Sequence, residues 1–432
     1  MRTLLKKIIA SILRVEARLV ITKYKPNIIA ITGSVGKTST KDAIYEVVAA
    51  HAHARKSEKS FNSEIGLPLT VLGRPNAWSN PVGWIENIFD GLILVLSPSR
   101  YPDWLVLEAG ADRPGDISSL ASWLPLDIAV ITRLPDVPVH VEFFDSPEAV
   151  REEKASIINA LKPDGTLVLY ADDANMDMIR ERATHIQLLT FGFSEGADVR
   201  AHTVEILSDE HTGKPVGMRA QIKMDGEGGM LEVVGAVGAH ALLPALAAIA
   251  VGRAMGDSFS DSLLALKRYD PPRGRMRLVE GEKSACIIDD TYNSSPAAVE
   301  AALSTFALLL GRRKIAVLGD MLELGRHSVE EHRKVGALAA QSADLLVTVG
   351  FRARDIAQGA LDNGMQDQSI LQFESADVAG KELEGLVKEG DVILVKGSQS
   401  MRMERIVEEI MQDPASAGDL LVRQDEEWKK KA

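Results

Sequence analysis

The chain has a single cysteine, Cys286, so it cannot close a disulfide on itself, which fits a reducing compartment. It also lacks a long hydrophobic run. The apolar stretch at 8–13 is too short to cross a bilayer, and Arg14, Glu16 and Arg18 interrupt the residues beyond it. No small-residue cleavage site succeeds that stretch cleanly, which argues against a secretory signal. Internal repeats and low-complexity tracts are missing as well. Positive charge is in the minority: 49 Lys and Arg stand against 61 Asp and Glu, a net charge of −12. That balance argues against general nucleic-acid binding, although local loops and a metal ion still accommodate anionic substrates.

The composition is otherwise that of an ordinary globular protein, 46% hydrophobic and 25% charged over 432 residues, enough for two or three domains. Continuous apolar runs at 27–32, 104–110, 127–133 and 166–173 read as buried parallel strands, which carry functional residues at their C-terminal ends. Between 186 and 236, Gly, Asp and Lys-Pro turns divide shorter runs into antiparallel hairpins. A helix is expected at 240–255. The stretch 269–279, with two prolines and a glycine, reads as an interdomain hinge. Strand–helix alternation then resumes, with runs at 285–296, 314–321, 344–351 and 391–398. The fold class is therefore α/β: a central P-loop ATPase-like domain with a mostly parallel sheet plus a small antiparallel sheet, then a Rossmann-like C-terminal domain. Expected boundaries are an N-terminal amphipathic helix at 1–26, a central domain at 27–270, a C-terminal domain at 271–412, and a charged tail at 413–432, frayed or surface-bound.

Near the N-terminus, Leu5, Ile8, Ile9, Ile12, Val15 and Leu19 fall at helical spacing. That spacing has two readings. The helix packs on the body, or it lies at a membrane interface with Lys6, Lys7, Arg14 and Arg18 near anionic lipid. The apolar stretch 84–97 belongs either to the core or to that same surface.

The segment "ITGSVGKTSTKDAIYEVV" (31–48) places a glycine turn between a strand and a helix. Backbone N–H groups of Gly33, Ser34, Val35, Gly36, Lys37, Thr38 and Ser39 would cradle phosphate at the helix N-terminus. Lys37 would reach the terminal phosphates, and the Thr38 hydroxyl would serve Mg²⁺. Glu108 at a strand end suits a metal carboxylate, with a surface acid as the other reading, whereas taken alone His140 reads more readily as a hydrogen-bonded structural residue and Lys154 as an ordinary exposed helix lysine.

This short phosphate loop resembles that of the Mur ligases, and further strings extend the resemblance in order over about 27–410. They are "FNSEIGLPLTVL" (61–72), "LEAGADRPGDI" (107–117), the segment 139–165, "GRMRL" (274–278), "IIDDTYNSSPAAVEAAL" (287–303), "VLGDMLELG" (317–325) and "LVKGSQSMRME" (395–404). Within the family they are most similar to the type that adds D-alanyl-D-alanine. The resemblance implies ATP-dependent amide bond formation in peptidoglycan precursor synthesis, through an acyl phosphate. Its substrates would be a UDP-muramoyl tripeptide and the D-alanyl-D-alanine dipeptide, and two Mg²⁺ ions would assist. It implies metal-site roles for Thr38, Glu108 and His140, and a carbamylated lysine at Lys154. It brings Arg275 to ATP from the second domain, and Asp290, Tyr292 and Asn293 to the nucleotide. It lines the substrate cleft with Asn62 and Glu64, and sets Lys396 and Ser398 toward the incoming amine. A cytoplasmic monomer, peripheral at the inner membrane face, is the expected setting.

The pattern departs from the family in four places. Only 26 residues precede the first strand, where related enzymes carry a uridine-nucleotide-binding domain. The nucleotide is then held differently, or the acceptor is not a UDP-sugar, or it is membrane-borne. His240-Ala241 and Pro244 replace the family's adenine-contacting His-Asn and Asn. Ser294-Ser295 alter the Tyr-Asn-Ala-Asn-Pro string. Ser156 stands where a Glu commonly succeeds the modified lysine. The retained phosphate, metal and lysine positions favour catalysis over a non-catalytic ATP-binding scaffold. A Mur-like ligase for a lipid-linked or polyglutamate-like acceptor is the other enzymatic expectation.

Overall fold

The computed structural model describes residues 2–58, 64–78 and 80–429. Asn62 lies outside the described residues. Nine strands form the first sheet: β1 (Asn27–Thr32), β2 (Ala54–Lys56), β3 (Trp104–Glu108), β4 (Leu126–Ile131), β5 (Leu161–Tyr170), β6 (Gln187–Gly192), β7 (Val199–Ser208), β8 (Pro215–Met224) and β9 (Glu227–Val234). Their order is β2-β3-β1-β4-β5-β6-β7-β8-β9. Pairing is parallel up to β7 and antiparallel across β7-β8-β9. The antiparallel strands expected as a small sheet thus continue the same sheet through the β6–β7 pair.

A second sheet of six strands has the order β10-β11-β15-β12-β13-β14. Its members are β10 (Arg277–Glu280), β11 (Cys286–Asp290), β12 (Arg313–Gly319), β13 (Leu345–Val349), β14 (Ile370–Phe373) and β15 (Asp391–Lys396). Only the β10–β11 pair is antiparallel. The stretch 269–279, read as a hinge, runs into a strand: β10 seals the sheet edge, and Val237 N–H donates to Met276 O across the lobes at 3.1 Å.

Helices of the first lobe are α1 (Arg2–Tyr24), α2 (Lys37–Ala49), α3 (Gly66–Leu72), α4 (Pro81–Leu96), α5 (Asp116–Ala121), α6 (Pro147–Ala155), α7 (Asp177–Arg182), α8 (Leu243–Met255) and α9 (Phe259–Leu266). Strands β1 and β4 are buried apolar runs, and α2 packs against α8 beside them. Apolar area removed from water on these faces supplies the main stabilisation, at ~25 cal/mol per Å². Helix α1 buries Leu13, Ala17 and Val20 in the central core and packs on α3 and α4.

Of the two readings of the tail, frayed or surface-bound, residues 413–429 take the second and fold onto the second lobe. Arg423 is 9% exposed and donates to Thr291 O at 3.1 Å and to the Tyr292 carbonyl. A buried ion pair and two carbonyls outweigh the charged composition that points to solvent.

Candidate active site

In the first sheet β1 is flanked by β3 and β4, so the chain leaves β1 where successive connections diverge, the place where open α/β sheets bind ligands. Gly33 ends β1 with φ 142°, and a Cβ there would lie 2.0 Å from Thr132 Oγ1, so only glycine fits. Gly36, at φ 88°, caps α2 in the left-handed region. Ser34 N–H donates to Arg133 O at 2.9 Å, which pins the loop to the end of β4. Lys37 Nζ folds back onto Gly33 O at 2.9 Å, and Thr38 Oγ1 donates to Glu108 Oε2 at 3.0 Å. Glu108 pairs with Ile31 across β3 and β1 and is 2% exposed.

Residues 34–38 form one wall of a cavity of about 510 Å³. Glu108, Asp112, His140 and Lys154 come to it from the first lobe. Arg275, Tyr292, Asn293, Glu323 and Ser398 come from the second. The C-terminal ends of both sheets therefore face one crevice. Arg275 stacks on the Tyr292 ring, its guanidinium 4.1 Å from the centroid. Gly274, at φ 68°, lets that arginine turn in: its carbonyl accepts from Tyr292 N–H at 3.1 Å.

Lys154 sits on α6, whose start is set by Ser146 accepting from Ala149 N–H and by Pro147 in the first turn. The lysine is 1% exposed, not the exposed helix residue its neighbours in sequence suggest. Burial, and then the nearby Lys37 ammonium, push its pKa down to about 7. Burial also lowers the pKa of Lys37. His140, at φ 69°, meets a carboxylate on each side: Asp112 Oδ1 at 3.4 Å from Nε2 and Glu323 Oε2 at 2.7 Å from Nδ1. The second of these joins the two lobes.

A smaller cavity of about 90 Å³ shares Val35, Gly36 and Arg275 with the first and continues past Ser39 to Tyr170, Phe191, His240 and Pro244. Burial pushes the His240 pKa down to about 4, so the ring is neutral at ordinary pH. Lys396 lines this cavity and not the larger one: it is 2% exposed and pairs with Asp290 at 2.6 Å. The β11–β15 register, which sets Asp290 beside Lys396, enforces that placement. Glu64 is exposed and lines neither cavity. Asp112, Glu323 and Trp428 also line the larger cavity, beyond the residues that the sequence motifs indicate. "LEAGAD" places Asp112 four residues beyond Glu108, and Glu323 lies inside the string "VLGDMLELG" (317–325), whereas nothing local marks Trp428.

Among the described residues no three His, Cys, Asp or Glu side chains converge on one point. The donors that are present still suit Mg²⁺, which keeps most of its water and takes few protein ligands. The Thr38 hydroxyl and Glu108 carboxylate are paired at the phosphate loop. Ser34 Oγ and Ser294 Oγ are buried there without a hydrogen-bond partner among the described residues, as groups awaiting a polar ligand would be.

A phosphate cradle on one lobe, faced by an arginine and hydroxyl-bearing loops from another, defines a two-lobed P-loop enzyme that holds a nucleoside triphosphate against a second substrate. The relatives of the chain narrow this class. Residues 92–252 match the Mur ligase middle domain, and residues 274–399 match the glutamate ligase domain of Mur ligases. UDP-N-acetylmuramoyl-tripeptide–D-alanyl-D-alanine ligase of Bacillus subtilis is 32% identical over 391 residues, 90% of this chain and 77% of that one. The enzyme of the same name from Mycobacterium leprae is 30% identical, over 90% and 74%. The solved MurF ligase of Thermotoga maritima in complex with ADP superposes with a TM-score of 0.75 at 26% identity, covering 93% of this chain and 83% of that one. The chain belongs to the Mur ligase family. It is an ATP-dependent ligase, and use of ATP with Mg²⁺ is generic to that family.

Proposed function

We propose that the protein joins D-alanyl-D-alanine to a UDP-muramoyl tripeptide, using ATP and releasing ADP and phosphate. The enzymes of Bacillus subtilis and Mycobacterium leprae that resemble it along most of their length bear that name. The observation that carries the reading is the shared cavity: Lys37, Glu108, His140 and Lys154 of one lobe face Arg275 and Ser398 of the other.

The chemistry rests on charge and position. A carboxylate does not react with an amine directly, so its oxygen first takes the terminal phosphoryl group of ATP. The amine then attacks the acyl carbon, and phosphate leaves with that oxygen. Lys37 and the loop N–H groups hold the phosphates, and Arg275 adds positive charge from the second lobe. Mg²⁺, held through Thr38 and Glu108 and near His140, would neutralise the crowded oxygens. Lys154 supplies a further anion if its neutral amine takes up CO₂: an N–C bond forms, one proton goes to water, and a carbamate remains. Its low pKa and burial beside Lys37 favour this. The smaller cavity, with neutral His240, Ala241 and Pro244, takes the base of the nucleotide. Ser398 flanks the side from which the amine enters. The enzyme acts in the cytoplasm, in peripheral contact with the inner face of a membrane. No helix among the described residues is long and apolar enough to cross one.

The test is phosphate release from ATP and Mg²⁺ with UDP-muramoyl tripeptide and D-alanyl-D-alanine, added singly and together. Release only with both, with a new amide of the summed mass less water, is the expected result. An ATP-binding protein that releases nothing with this pair, but does so with another acceptor, overturns the substrate assignment.

A further inference from the structure

Helix α4 is apolar on two sides. Turned toward the protein are Trp84, Ile88, Leu94 and Val95, packed on the core, with Asn87 and Gly91 buried beside them and Asp90 paired with Arg74 at 2.8 Å. Turned to solvent are Val82, Ile85, Phe89, Leu92, Ile93 and Leu96, between 42% and 72% exposed. Those six recur at helical spacing as one stripe. A helix on a globular surface normally carries one apolar stripe, the one that tertiary packing removes from water, and α4 carries a second that packing leaves exposed.

Helix α1 runs beside it and repeats the pattern. Ile8, Ile12, Val15 and Leu19 are between 37% and 59% exposed. The two helices are parallel: Glu16 lies against Gly91, and Lys23 Nζ donates to the carbonyls of Leu94, Val95 and Ser97 at 3.0, 2.9 and 2.6 Å. Lys23 therefore satisfies carbonyls at the C-terminus of α4 and locks the pair. Among the described residues, ten of the 21 exposed large apolar side chains sit on these two helices, under a tenth of the chain. Concentration of that degree marks an interaction surface.

Charge identifies the partner. Helix α1 carries six basic residues and one acid, Glu16, which is buried. The chain as a whole has a net charge of −12. Lys6, Lys7 and Arg18 are exposed along α1, as is Arg100 just beyond α4, against one exposed acid on α4, Glu86. An apolar stripe rimmed by cations fits the headgroup and upper acyl layer of an anionic bilayer.

We propose that α1 and α4 together form an interfacial plate that seats the protein on the surface of an anionic membrane. The plate lies apart from the chemistry: no residue of either helix lines the two cavities. The proposal deepens the peripheral location proposed for the enzyme and is independent of which acceptor the site takes, so it stands or falls separately from the ligase reading.

Sedimentation of the full chain with phosphatidylglycerol vesicles and with phosphatidylcholine vesicles tests it. Wild type is expected to pellet with the anionic vesicles at low salt, with binding falling as salt rises. Ile85→Asp/Phe89→Asp, checked for unchanged thermal unfolding and ATP binding, should stay in the supernatant. Lys7→Glu/Arg18→Glu should weaken binding to the anionic vesicles by about tenfold or more. Wild type that remains in the supernatant with anionic vesicles overturns the proposal. Equal pelleting with both lipids overturns it too, because the basic residues would then play no part. Failure to pellet, combined with a dimer in light scattering that Ile85→Asp/Phe89→Asp dissolves, would reassign the plate to a second copy of the chain.

Discussion

Lys154 occupies a position where a charge is costly. An ordinary lysine at pH 7 is neutral in fewer than about one molecule in a thousand. With its pKa pushed down to about 7 by burial and by Lys37, half of the Lys154 side chains are neutral there. Neutral amine is the form that takes up CO₂, so the carbamate builds as pH rises through 7. Activity measured at constant ATP should show an acid limb near that pH and should fall in CO₂-depleted buffer. Lys154→Ala should fold, bind ATP and lose about 10²–10³ in turnover, the range for removing one preorganised charge. Short carboxylic acids should restore part of the loss, and bicarbonate alone should not. An unchanged turnover of Lys154→Ala would remove the lysine from the reaction. None of this was legible locally, because "PEAVREEKA" is a polar helix whose burial depends on α5 and the loop after β3.

At the scale of elements, local pattern and long-range packing part company. Strands β1, β3 and β4 were legible because parallel strands buried on both faces are continuous apolar runs. The phosphate loop was legible because strand, glycine turn and helix are contiguous. Short β2 and β14, three and four residues long, were not, since so few residues show no period. The segment of α4 was legible as an apolar stretch but not in which of its sides is covered, because composition does not tell which residues packing removes from water. At the α1–α4 contact, Glu16 is buried against Gly91, and burial raises its pKa to about 7. A carboxyl raised in the folded state costs stability as it ionises. Wild type should therefore lose stability between pH 4.5 and 7, and Glu16→Gln should flatten that slope and be the more stable above pH 7 in thermal unfolding. The tail offers a second test. Glu404 is fully buried and held by Arg402 at 2.6 Å and Arg423 at 2.8 Å. Arg423→Ala should cost about 3 kcal/mol in urea unfolding, the scale for breaking a buried ion pair. It should also raise KM for ATP, because Arg423 supports Tyr292, on which Arg275 stacks, and lies over Trp428 in the cavity wall.

Across the whole molecule, the site is a property of two sheets and belongs to neither alone. Glu323 and His140 are far apart in sequence and 2.7 Å apart in space, and Arg275 faces both cavities. Motifs name most of the participants, while their partners come from packing. Lys396 shows the difference. Its string also holds Ser398, which lines the larger cavity, but its strand register turns Lys396 to Asp290 and the smaller one. The central claim is that the two lobes bring a carboxylate to the phosphate of ATP and then an amine to the activated carbon. The most direct test is to label the acceptor carboxylate with ¹⁸O and weigh the phosphate released during turnover with D-alanyl-D-alanine. The account predicts one ¹⁸O in each phosphate, transferred from the acceptor, with one retained in the amide. Unlabelled phosphate accompanying amide formation would contradict it, because the carboxylate would not then have been activated through its own oxygen.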